Sequence, residues 1–137
     1  MSTDLRRSTY LIPQLMLWLS DIVRIADIGE GDVKILKRHK KFRLLKGESY
    51  GAETITIYVD AIESPDDFHI TLLHEFIHAR DVLKGRRTSE SCDPWVEPEA
   101  VETYHRRPEL VGLIKELYGI NDFCYYQEKY GLGKKSA

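Results

Sequence analysis

Cysteine is nearly missing from this chain of 137 residues: Cys92 and Cys124 are the only two. Two thiols cannot build a disulfide framework, so a reducing, cytoplasmic setting is the expectation. Side-chain amides are also scarce, with Gln14, Asn121 and Gln127 alone beside a charged content of 31%. Many charges with few amides is a thermophile-like balance. Neither sign of charge dominates, and a net charge of −2 argues against a general nucleic-acid binder. The basic run Lys37-Arg38-His39-Lys40-Lys41 has one aromatic and no repeat, and reads as a solvated turn. Long apolar segments are absent too. The run from Tyr10 to Leu19 is broken by Pro13 and Gln14 and falls short of the roughly 20 residues a membrane span needs. Arg6 and Arg7 precede it, yet no small-residue cleavage site follows, so an export signal is not expected. Internal repeats and low-complexity segments are likewise missing.

What is present fits one small domain over residues 1–137, since this length supports a single core and not two. Leu15, Trp18 or Leu19, Ile22, Ile25 and Ala26 keep helical spacing, which predicts an amphipathic N-terminal helix ending near Gly29. Three strands follow: Val33 to Leu36, Phe42 to Leu45, and Thr54 to Val59, with Gly47 and Gly51 bracketing a turn before the last. Ser64-Pro65-Asp66-Asp67 reads as a helix start, with Ser64 as cap, proline in the first turn and two acids against the helix dipole. Gly85 is its left-handed stop. A second helix is expected to begin at Pro98, and a third to run from Glu109 to Tyr118, between Pro108 and Gly119. The class is therefore α+β.

The first of these helices carries His74-Glu75-Phe76-Ile77-His78 at its centre. Positions i and i+4 share a helix face, so the two imidazoles converge on one point, as a tetrahedral zinc requires. Glu75, one residue round, is placed to take a proton from a metal-activated water. A catalytic zinc needs a third protein ligand and an open position. Of Glu97, Glu99 and Glu102, only Glu97 shares its phase with Ala100, Val101 and Tyr104, an inward-suited set; Glu99 and Glu102 fall on polar faces. The expected metal ligands are His74, His78 and Glu97, and the expected catalytic base is Glu75. Asp81, three residues after His78, is a candidate to support a ligating imidazole. Tyr58, His105 and Tyr126 are open candidates for stabilising the oxyanion.

A His-Glu-x-x-His helix followed by a glutamate helix resembles the gluzincin zinc metallopeptidases. Glu97-Pro98-Glu99-Ala100 is similar to the Glu-x-x-Ala stretch of their prenyl-protein and stress-type members, with Val101 where an aspartate commonly stands. In its shortness the chain looks most like the soluble minigluzincins, and the specific likeness covers roughly residues 53 to 106. The resemblance implies a zincin-like domain that hydrolyses protein or peptide substrates, with zinc as cofactor and neither a nucleic-acid partner nor a membrane span. It also implies that the strand from Glu53 to Val59 lies at the rim of the site, where its edge can pair with an extended substrate. Some minigluzincins are latent, zymogen-like forms whose C-terminal segment blocks the cleft. The aromatic-rich stretch 122–130 within the tail 121–137 either does the same here or packs on the far side of the domain. Two rival functions remain: a regulatory zinc protease that cleaves one partner such as a repressor, and a non-catalytic zinc-binding module. No helix-turn-helix pattern stands out to support the first.

Overall fold

The computed structural model describes residues 33–37, 45–50, 54–83, 85 and 93–132. Their order is β1 (Val33–Leu36), β2 (Gly47–Tyr50), β3 (Thr54–Tyr58), a 3-10 turn (Val59–Ala61), α1 (Pro65–Leu83), α2 (Asp93–Arg106), α3 (Glu109–Tyr118) and α4 (Phe123–Lys129). The class is α+β, with a three-stranded mixed sheet and four helices among the described residues. The expected N-terminal helix and residues 42–44 of the expected second strand lie outside them.

The sheet departs from the sequence reading in two ways. Its second strand is β2, formed where Gly47 and Gly51 suggest a turn, while Leu45 is not in a strand. The order is β1-β3-β2, so β3 is central, parallel to β1 (Ile35 opposite Ile57) and antiparallel to β2 (Gly47 opposite Ile57). That corrects the expectation that the stretch Glu53 to Val59 offers an open edge: both sides of β3 are already hydrogen-bonded. Ile55 and Ile57 are fully buried, and each such side chain contributes about 1.5–3 kcal/mol on leaving water.

Helix α1 is the hub. Ser64 caps it as expected, its Oγ accepting from the Asp67 N–H at 3.1 Å, and the Asp67 carboxylate accepts from the Glu63 N–H at 3.0 Å. Gly85 closes it at φ 79°. Phe68, Leu72, Leu73, Phe76 and Ile77 are buried in the core, with Thr71, Glu75, His78 and Arg80 buried beside them. A helix covered on so many sides must find partners for its polar groups.

Helix α2 begins at Asp93, five residues before the expected start, and takes both prolines inside it. Pro94 sits in the first turn, where it costs nothing. Pro98 lacks the N–H of its turn and its ring crowds the carbonyl four residues back, a cost that packing must offset. Its core-facing residues are Val96, Ala100 and Thr103, one step round from the expected phase. Helix α3 has the expected bounds and ends on Gly119 at φ 67°. Helix α4 packs Phe123 and Tyr126 on Phe68 at ring distances of 5.8 and 5.9 Å, and beyond it the Tyr130 hydroxyl donates to the Ile35 carbonyl at 3.0 Å.

Candidate functional site

Asp67, Thr71, His74 and His78 recur along α1 at steps of four, three and four residues, which is one face of a helix. The rings of His74 and His78 lie 4.8 Å apart and tilted by 60°, with their Nε2 atoms 3.2 Å from one another. Two nitrogens each about 2.0–2.1 Å from a tetrahedral zinc are about 3.3 Å apart, so the pair fits the metal. The other ring nitrogen of His74, Nδ1, is 2.7 Å from Oε1 of Glu97. An ionised carboxylate only accepts, so Nδ1 carries a proton, which leaves Nε2, the nitrogen facing His78, as the one that can offer a lone pair. That is the tautomer a metal ligand needs.

Glu97 thus reaches the site from α2, as expected, and meets the outer edge of the His74 ring. Its side chain stays 53% exposed. Among the described residues no group of three His, Cys, Asp or Glu side chains converges as a metal-ligating set. Glu75 is only 5% exposed, and its carboxylate lies against Gly47 of β2. A cavity of about 350 Å³ opens here, lined by Leu45, Lys46, Asp67, Thr71, His74, Glu75 and Glu97. Lys46 Nζ lies 3.1 Å from Asp67, so the residues leading into β2 and the exposed face of α1 line the cavity together, with Glu97 reaching in from α2.

Arg80 fixes the two helices in register. Its guanidinium donates to both Glu99 oxygens, at 2.6 and 2.9 Å, and to Asp81 at 3.2 Å. Burial disfavours the guanidinium charge, but the Glu99 fork and Asp81 outweigh it and hold its pKa above the ordinary value. Asp81 therefore faces Arg80 here. Glu99, read as an outward acid, is half of the clamp that places Glu97 two residues away.

A second polar chain crosses the same helices nearer the start of α1. The Tyr104 hydroxyl donates to Asp66 at 2.6 Å and lies 3.5 Å from Nδ1 of His69; Lys115 Nζ lies 3.4 Å from Nε2 of His69 and donates to Asp122. Burial, then the Lys115 charge, lowers the His69 pKa, and the bond to Asp66 raises that of Tyr104.

Tyr58, His105 and Tyr126 are all absent from the cavity lining; the Tyr126 hydroxyl accepts from the Asn121 N–H at 3.0 Å, and the exposed His105 ring lies beside Tyr104. Residues 121–132 of the tail, Cys124 included, contribute nothing to that lining either; they pack on Phe68 and β1, and 133–137 lie outside the described residues. Sequence reasoning missed Lys46, Gly47 and Arg80. The one readable signal was Ser64-x-x-Asp67, a capping box whose acid also serves the cavity.

Comparison with protein-family models, with curated proteins and with solved structures finds no match to this chain.

Proposed function

We propose that this protein is a zinc-dependent metallopeptidase. The observation that carries the reading is the His74–His78 pair, 3.2 Å apart, beside a buried glutamate on the wall of an open cavity. His74 and His78 would hold zinc through Nε2, and Glu97, which meets Nδ1 on the other edge of the His74 ring, would have to swing round to serve as the third donor. When bound, zinc would lower the pKa of a coordinated water toward about 7 and polarise the scissile carbonyl. Glu75 takes the proton of the attacking water and returns it to the leaving amine. Burial of that carboxylate keeps bulk water from competing for the proton. The polar walls, Lys46, Asp67 and Thr71, suit the backbone of a peptide better than an apolar ligand. Among the described strands β2 pairs on one side only, so an extended peptide would run along its other edge.

Metal analysis and cleavage of a generic peptide test the reading together. One zinc per chain is expected, and Glu75→Gln should keep it while losing about 100- to 10,000-fold in kcat, the range of general-base catalysis. A protein that binds no transition metal overturns the proposal. Zinc binding with activity untouched by Glu75→Gln would make the metal structural.

A further inference from the structure

Three glycines among the described residues adopt positive φ: Gly85, Gly119 and Gly131. Gly47 does not, so its backbone is open to any residue and conformation does not explain it. Space does. Directly opposed residues of an antiparallel pair send their side chains to the same face, so a side chain at 47 would point with Ile57 onto α1. A Cβ there would stand 3.0 Å from Oε2 of Glu75, 3.2 Å from its Cγ and 3.0 Å from the Thr56 carbonyl oxygen. Comfortable contacts begin near about 3.5 Å, so every one of these is too close. At Gly85, Gly112, Gly119 and Gly131 a Cβ would meet nothing within 4 Å.

The strand has no room to retreat. The Lys46 carbonyl accepts from the Tyr58 N–H at 2.8 Å, and Lys46 Nζ is held by Asp67, whose carboxylate also caps α1. Glu75 is buried and the Thr56 carbonyl belongs to the central strand, so of the groups an added methyl would crowd, the carboxylate is the one able to swing aside.

We propose that Gly47 is a positioning residue for Glu75: β2 lies flat against the carboxylate because position 47 has no side chain, and this contact fixes where the base points. The proposal rests on the reading of Glu75 as the catalytic base. A misplacement of 1 Å can cost about 100-fold, so a shift of a few tenths of an ångström in Gly47→Ala should lower kcat by about 10-fold. Zinc affinity and KM should change less than twofold. Glu75→Asp, which withdraws the carboxylate by one methylene, should remove most of the further loss when combined with Gly47→Ala.

A measurement independent of activity separates this from the enzyme reading. In protein labelled with 13C at glutamate side-chain carboxyls, the resonance missing from Glu75→Gln belongs to Glu75. It should move in Gly47→Ala at constant pH. If it stays in place, or if Gly47→Ala keeps the wild-type kcat in an active enzyme, the proposal is overturned. A moved resonance in a protein that cleaves nothing would uphold the contact and sink the peptidase. Should Gly47→Ala not fold, recovery of the fold on adding Glu75→Asp upholds the contact, and failure of that pair to fold overturns a role confined to Glu75.

Discussion

Two histidine environments sit five residues apart on α1, and they differ in what faces the ring nitrogens. His69 has the Tyr104 hydroxyl near one nitrogen and the Lys115 ammonium near the other. The ammonium can only donate, so Nε2 of His69 is occupied as an acceptor, and burial with the Lys115 charge lowers the ring's pKa. His74 has a carboxylate on Nδ1 and another imidazole at Nε2. One helix thus offers a histidine closed by a cation and a histidine pair suited to receive one. The residue type is the same. What separates structure from chemistry is the sign of the group that α2 and α3 bring to it.

The sharpest way to break that comparison is to empty each environment in turn. His74→Ala should take zinc from one per chain to almost none, measured by elemental analysis after dialysis. His69→Gln should leave it at one, and loss of zinc there would mean that the two environments are not separate. A smaller effect distinguishes the roles of Glu97. Glu97→Gln keeps an oxygen to accept from His74 Nδ1 but is a poor ligand. Loss of a group that only orients a ligating imidazole costs about 10- to 100-fold in affinity, so competition with a chelator should read more than about 100-fold if Glu97 binds zinc directly. A loss under about 100-fold would assign it to orientation alone.

The smallest expected effect is on stability against pH. The pKa of His69 is lowered in the folded chain, so the unfolded chain binds the proton more readily. Its contribution to stability is therefore complete above the unfolded value of about 6.5 and shrinks as pH falls below that. In urea titrations between pH 7.5 and 5, on the order of the range that value brackets, His69→Gln should show a shallower fall than the parent. Parallel curves would show that folding does not lower the His69 pKa.

Local signals were read correctly where local chemistry decides the outcome. β1 and α3 have the expected bounds because apolar alternation, Pro108 and Gly119 act within a few residues. The Ser64 cap and the converging His74 and His78 were legible for the same reason. The misreadings lie where distant parts of the chain meet. β2 looks like a turn because Gly47 suits one, yet that glycine answers to Glu75 packed against it. The central place of β3 depends on a parallel partner drawn from residues 33–36, and no local pattern encodes pairing order. α2 tolerates Pro98 inside it because its packing on α1, clamped by Arg80 and Glu99, outweighs one lost bond. The aromatics at 123 and 126 do need covering, as their sequence suggests, and Phe68 supplies the cover.

The bond from Tyr130 to the Ile35 carbonyl joins residues 95 apart. In kinetic language it is the least local contact described, and closing a loop of that length costs about 1.4 kcal/mol more entropy than closing one of about 20 residues. It cannot form until residue 130 has been synthesised, whereas α1 and its cap are complete far earlier. Until then the aromatic face of Phe68 waits for α4. The helix that carries the histidine pair is thus also the surface a chaperone would meet on a half-made chain.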